Sequence, residues 1–329
     1  MNTDAYPTPT RSPAPLAALQ AQINTTLVGQ AQIVEQTLVA LAASGHVLIT
    51  GVPGLGKTLL VRALAQSLQL QHARIQFTPD MMPSDITGHV VLAPGGEGGI
   101  GKLMVRHGPV FTQLLLADEI NRAPAKTQSA LLEVMQEAQV TLEGRTLPLP
   151  RPFMVLATQN PLDTEGTYPL PEAQMDRFLF MLRIGYPAEA DEVSVVAKAT
   201  QDQPGDRLPL GDVPALLDAA AMLAIQAAVA KVHVDPRVLA YAVRLARATR
   251  EWPALASGAG PRGAIALVRA ARAAAHLDGR DFVTPDDIKR FVLPALRHRV
   301  ALAPDAQLDG RDVDTLLTEV ADGVEAPRL

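Results

Sequence analysis

The chain has 329 residues, 48% apolar and 19% charged, with a formal net charge of −5 and no cysteine. That length suggests two or three domains with ample material for a core, and the missing cysteines exclude disulfides, thiolate catalysis and Cys-ligated metal centres. The negative balance argues mildly against wholesale nucleic-acid binding; with no apolar run near the roughly 18 residues of a membrane span and no basic-then-apolar leader, a cytoplasmic protein is expected.

Residues 1–20 are rich in Pro and Thr and predict a flexible N-terminal segment, with a helix beginning near Leu16. Val28, Gly29 and Gln30 then form a short turn ahead of a helix over 33–43. The turn lies where an adenine would sit beside the next motif, although an ordinary helix-initiating turn fits the same residues. The apolar run His46–Thr50 predicts a strand, and the helical spacing after Thr58 predicts a helix to about Leu68.

Between that strand and that helix lies GVPGLGKT, Gly51 to Thr58. A Gly, four residues and then Gly-Lys-Thr in this context is a phosphate-binding loop. Its glycines let successive backbone N–H groups point at phosphate oxygens, and the helix N-terminus adds favourable partial charge. The candidate nucleotide contacts are Gly51, Val52, Pro53, Gly54, Leu55, Gly56, Lys57, Thr58 and Leu59. Lys57 supplies a mobile charge for the β- and γ-phosphates, and Thr58 a hydroxyl for Mg²⁺.

A second strand is expected over 73–77, followed by a polar connection over 78–87. Residues 90–101 are Gly-rich and read as an insertion or a hairpin with a loose tip near Gly95–Gly99. The run Leu114–Ala117 predicts a buried parallel strand that delivers Asp118 and Glu119 to the edge of a sheet. Asp118 is placed to hold Mg²⁺ directly or through water, and Glu119 to polarise an attacking water. A helix is expected over 128–138, a hairpin over 140–149 turning at Glu143-Gly144, and another strand over 153–157. Asn160 follows that strand; it either orients water against a γ-phosphate or forms an Asx turn before Pro161. Residues 171–180 predict a short helix feeding a strand, with Arg177 inside it, where pairing with Asp176 is one available role. From about 188 the chain turns Ala/Leu/Val-rich, with helices expected over 188–200, 212–231, 236–250 and 261–277, and Arg262 at the start of the last of these. Thr284-Pro285-Asp286-Asp287 is a capped helix start. His298 and Arg299 end the last long helix expected, and the polar remainder reads as a fraying tail.

LLLADEINRAPAKTQSALLEVMQE, ATQNP and PEAQMDRFLF, with the phosphate loop upstream, resemble the MoxR family of AAA+ ATPases from about Ile23 to the last helices. No guanine-specific NKxD and no LSGGQ signature is present. The resemblance implies an α/β fold: an AAA+ P-loop core with a parallel sheet over 21–187, insertions near 87–105 and 139–149, and an all-helical lid over 188–329. It implies ATP and Mg²⁺ as ligands, a homo-hexameric ring, and chaperone-like maturation of a client or metalloenzyme complex through a partner bearing a von Willebrand factor A domain. Lys57 and Thr58 match the Walker A pair and Asp118 and Glu119 the Walker B pair. Asn160 resembles the first sensor, Arg177 the arginine finger that reaches a neighbour's γ-phosphate, and Arg262 the second sensor. Gly260 stands where relatives usually carry Ser or Ala. A chelatase-like or nucleic-acid-directed motor is the alternative, since related AAA+ branches share the insertions. A nucleotide-binding scaffold without turnover is disfavoured by Glu119 and Arg177.

Overall fold

The computed structural model describes residues 15–52, 54–93, 102–160, 167–200 and 214–328. Pro53, the Gly95–Gly99 tip, Pro161 and residues 1–14 and 201–213 lie outside the described residues.

The chain opens with α1 (Pro15–Thr26) and α2 (Ala31–Ala42). The helix expected from near Leu16 is α1, which buries Leu16 and Leu19, so residues 15–20 of the segment expected to be flexible are helical. Next come β1 (Val47–Thr50), α3 (Lys57–Ser67) and β2 (His72–Gln76). The polar connection after β2 contains a short helix, α4 (Pro83–Thr87), held at its start by Asp85 Oδ2 accepting from the Met82 N–H at 2.7 Å. The insertion is an antiparallel hairpin of β3 (Gly88–Ala93) and β4 (Lys102–His107). Then follow β5 (Leu114–Asp118), α5 (Ala125–Glu137), a second hairpin of β6 (Gln139–Leu142) and β7 (Arg145–Pro148), β8 (Met154–Gln159), α6 (Glu172–Met175) and β9 (Phe180–Arg183). Arg177, expected within a helix, sits in the turn after α6.

Five strands form one parallel sheet in the order β2-β5-β8-β1-β9. Helices cover both faces, which is why β5 is buried at every residue and reads as a continuous apolar run. Side chains alternate between the faces. Leu114, Leu116, Val47, Ile49, Leu156 and Phe180 join one core cluster, while Leu115, Ala117, Leu48, Val155 and Ala157 join the other. Because the strands run parallel, Gln76, Asp118, Gln159 and Thr50 end at one edge, with Gln76 opposite Asp118 and Thr50 opposite Gln159.

The C-terminal region contains α7 (Glu189–Thr200), α8 (Ala219–Ala230), α9 (Pro236–Glu251), β10 (Leu255–Ser257), α10 (Pro261–Leu277), α11 (Pro285–Arg290), α12 (Val292–Leu296), β11 (Ala301–Leu302), α13 (Pro304–Leu308) and α14 (Val313–Gly323). Among the described residues the lid is helical apart from the short antiparallel ribbon β10–β11 and an isolated parallel bridge between His233 and Phe282. Its alanine-rich α10 buries Ala270, Ala271, Ala273 and Ala274 against neighbouring helices. Thr284 and Asp287 exchange the reciprocal bonds of a capping box. The lid shares the first core cluster with the sheet, and Phe291 stacks on Phe180 of β9 with centroids 5.5 Å apart. The expected fraying tail is instead α14, with Leu316, Leu317, Val320 and Ala321 buried. Among the described residues no helix is long and apolar enough to cross a membrane.

His46 ties three elements together at the base of the sheet. The Val155 N–H donates to its Nδ1 at 3.0 Å, so the proton resides on Nε2, which meets the Met135 carbonyl at 3.0 Å. Complete burial pushes its pKa down from 6.5 to about 4. His298 is buried and shifted in the same direction. A folded-state value below the unfolded one means that protons bind preferentially to the unfolded chain, so stability falls as pH drops from about 6.5 to 4, by about 3 kcal/mol for His46. Urea titrations of wild type and His46→Gln should diverge by that amount between pH 7 and pH 4; parallel pH profiles would refute the assignment.

Candidate nucleotide site

The loop after β1 adopts a conformation that demands glycine. Gly51 has φ 152°, and a Cβ there would lie 2.4 Å from the Ile184 carbonyl oxygen. Gly56, the residue before α3, is left-handed at φ 81°, and a Cβ would fall 2.8 Å from Leu27 Cδ1. The backbone can therefore curl tightly ahead of α3 and leave the N-terminal N–H groups of that helix for an anion.

Lys57 folds back so that Nζ donates to the Gly51 carbonyl at 3.0 Å. Partial burial lowers its pKa, and the charges of Asp118 and Glu119 oppose that fall. Asp118 is buried at the end of β5, yet both oxygens are satisfied. Thr158 Oγ1 donates to Oδ1 at 2.9 Å, and Arg74 Nε to Oδ2 at 2.8 Å. Glu119 is left-handed at φ 56°, a strained conformation that turns its side chain off the strand end. Its N–H donates to the same Thr158 hydroxyl at 2.9 Å. Its Oε2 accepts from Gln76 Nε2 at 2.8 Å and Arg122 Nη1 at 3.0 Å.

These groups line one cavity of about 590 Å³. It brings together Val28, Gln30, Gly54, Leu55, Gly56, Lys57, Thr58, Leu59, Asp118, Glu119 and Asn160. Gly29, Gly51 and Val52 are not part of its lining. Gly29, at φ 75°, instead lets the turn lie against Pro187, 2.7 Å from where its Cβ would be. Gln30 Nε2 fastens the same turn to the Gly185 carbonyl at 2.9 Å. Arg74, Gln76 and Thr158, which hold the two acids, were not anticipated as site residues, nor were others in the lining such as Val195 and Val196 of α7, which with Tyr186 form an apolar wall. Lys198 Nζ anchors α7 by donating to the Thr25 carbonyl at 2.7 Å. Neither Gln76, whose place beside the acid depends on the pairing of β2 with β5, nor the α7 wall carried a local signal.

The residues fit a magnesium nucleotide. The cradle is closed to any side chain at Gly51, and Thr58 and Asp118 offer the hard oxygen donors that Mg²⁺ takes.

Arg177 and Arg262 lie elsewhere. Both line a second cavity of about 400 Å³, with Arg151, Arg269 and Arg299, and it shares no lining residue with the first. Arg177 Nη1 donates to the Leu132 carbonyl at 3.0 Å, and its Nε is buried without a partner among the described residues. Arg262 Nε faces Asp176 Oδ2 at 3.7 Å. The expectation that Arg262 contacts nucleotide is thus not met within one chain, because the start of α10 packs on α12, where a Cβ at Gly263 would meet Leu296 at 2.9 Å.

Thr158→Val removes one hydroxyl that both acids use. Stability should fall by about 1–3 kcal/mol, and nucleotide hydrolysis by about 10–100-fold, while Thr158→Ser keeps both. Equal hydrolysis by the Val and Ser forms would show that the hydroxyl does not organise the acids.

The family described as "ATPase family associated with various cellular activities (AAA)" matches residues 46–180, and the "AAA lid domain" matches residues 247–320. The uncharacterised protein YeaC of Bacillus subtilis is 44% identical over 305 residues, covering 93% of this chain and 92% of its own. Chaperone MoxR1 of Mycobacterium tuberculosis is 42% identical over 319 residues, 94% of this chain and 81% of its own. Protein MoxR of Methylorubrum extorquens is 33% identical over 94% of this chain and 95% of its own. A crystal structure from Cytophaga hutchinsonii superposes with a TM-score of 0.86 at 37% identity, over 95% of each chain. With the phosphate loop, the strand-end acids and the helical lid in one fold, the chain belongs to the MoxR family of AAA+ ATPases.

Proposed function

We propose that the protein hydrolyses ATP with Mg²⁺ in a homo-hexameric ring and couples hydrolysis to chaperone-like remodelling of a protein client. The observation that carries the catalytic part is the convergence of Lys57, Thr58, Asp118, Glu119 and Asn160 on one cavity. The N–H groups of Gly54 to Thr58 and the Lys57 ammonium bind the phosphates. Tyr186, Val195 and Val196 offer the base an apolar wall beside Val28. Thr58 and Asp118 would hold Mg²⁺, which when bound supplies neutralisation of phosphate charge. Glu119 accepts a hydrogen bond from the attacking water and orients it in line. Asn160 holds that water or the γ-phosphate from the neighbouring strand end.

The ring reading rests on the separation of the two cavities. Arg177 and Arg262 sit together and apart from the phosphate loop of their own chain. Both arginines therefore serve the nucleotide of an adjacent subunit, Arg177 as the finger and Arg262 as the second sensor. An arginine finger supplied in trans compensates charge that develops on transfer and is worth roughly 10³–10⁵ in rate where it has been measured.

The β3–β4 hairpin supports a protein client over nucleic acid. Leu92 and Leu103 pair across it and are 68% and 67% exposed, and Met104 is 55% exposed. A backbone-binding surface would carry a basic stripe instead. A relative is named a chaperone, and the family resemblance adds a von Willebrand factor A domain partner to this reading, alongside the cytoplasmic setting expected from the sequence.

Lys57→Ala and Glu119→Gln should each lower phosphate release at least about 100-fold, and Glu119→Gln should still bind ATP because the cradle is intact; equal rates in all three proteins would reject the assignment. Mixing the inactive Glu119→Gln and Arg177→Ala forms should restore activity in mixed rings. No restoration, with mixed assembly verified by native mass spectrometry, would reject the shared site.

A further inference from the structure

Three consecutive lid residues, Arg297, His298 and Arg299, leave the end of α12 and reach into the turn that carries Arg177. The Arg299 side chain is only 3% exposed. Its Nε donates to Asp176 Oδ1 at 2.7 Å, and its Nη2 to the carbonyls of Asp176 at 3.0 Å and Phe178 at 2.6 Å. Its Nη1 donates to the Leu179 carbonyl at 3.3 Å and to Ala295 in its own helix. His298, kept neutral by burial, presents Nε2 to the Phe178 carbonyl at 3.1 Å. Arg297 Nη1 donates to the Met181 carbonyl at 3.1 Å and is itself held by Asp314 at 2.9 Å.

One tripeptide of the lid thus gathers the carbonyls of residues 176, 178, 179 and 181, on either side of Arg177. The second oxygen of Asp176 faces Arg262, so one carboxylate joins the residue before the finger to two lid arginines. Burying a guanidinium is an expensive way to gain stability, since an apolar side chain often does as well. What the planar fork provides is direction: several donors in fixed geometry hold a turn that a hydrophobic contact would let slide.

We propose that Arg299 is the positioning residue for Arg177: it clamps the turn on both sides of the finger, so that the placement of the lid sets the placement of the arginine offered to the neighbouring subunit. This rests on the reading that Arg177 acts on an adjacent nucleotide.

Arg299→Lys keeps the buried cation and its contact with Asp176 but loses the fork, and Arg299→Gln loses both. Each should lower kcat by about 10–100-fold, the cost of a misplaced catalytic group, with ATP affinity from binding isotherms unchanged within about twofold. Should the Gln form not fold, the Lys form carries the test. The decisive readout is complementation. An Arg299→Lys subunit has an intact nucleotide cavity and a misplaced finger, so mixing it with Glu119→Gln should restore activity, while mixing it with Arg177→Ala should not. Unchanged kcat, or no restoration with Glu119→Gln while the Arg177→Ala and Glu119→Gln pair does complement, would overturn the proposal. If that control pair fails too, the shared-site reading is what falls. The clamp on the turn is then read on residual single-turnover rates: Arg299→Lys should lower the rate of wild type but leave the residual rate of Arg177→Ala unchanged, and equal fold losses in both would overturn it.

Discussion

A buried carboxylate is costly unless its oxygens are met, and Asp118 stands at the end of a strand with no exposed residue. Its neighbours in the sheet meet it: Thr158 from β8 and Arg74 from β2. This works only because the strands are parallel and in register. Their carboxyl ends then share one edge, and side chains from both flanking strands can converge on a single acid. The same register sets the phosphate loop after β1 beside that acid. The Thr158 hydroxyl also accepts from the Glu119 N–H, so one side chain orients both acids.

The cavity that holds Arg177 and Arg262 does not meet the phosphate-loop cavity within one chain. The lid shares the core cluster on one face of the sheet and brings α10 and α12 against the turn after α6. Five arginines line that cavity, a concentration of positive charge matched among its described lining residues by one acid, Asp176. Such an excess suits an anionic partner better than an isolated monomer. A nucleotide held between subunits would supply the missing negative charge, and assembly would then report on what is bound.

Much of this was legible in the chain because it is local. GVPGLGKT declares its own backbone, and LLLAD reads as a strand because burial on both faces makes it uniformly apolar. The turn at Glu143-Gly144 and the cap at Thr284 are short-range chemistry of the same kind. What escaped was set by register and by distant contacts. Gln76 and Thr158 matter through strands that pair far from them in sequence. Arg299 looked like a helix end, yet its partners lie about 120 positions upstream. The last helix was missed because its signal is a spacing: Leu316, Leu317, Val320 and Ala321 recur on one helical face, toward the core, between aspartate, threonine and glutamate residues. The Gly-rich stretch, read as an insertion or a hairpin, is a hairpin whose strands pair from Gly88 with His107 to Ala93 with Lys102.

The convergence of loop and acids on one bound triphosphate is most directly tested by diffraction from crystals grown with Mg²⁺ and a non-hydrolysable ATP analogue. The account predicts phosphate density against the backbone amides of Gly54 to Thr58 and a metal between the Thr58 hydroxyl and the Asp118 carboxylate. Nucleotide bound elsewhere, with that cradle empty and Asp118 still paired only to Arg74 and Thr158, would contradict it.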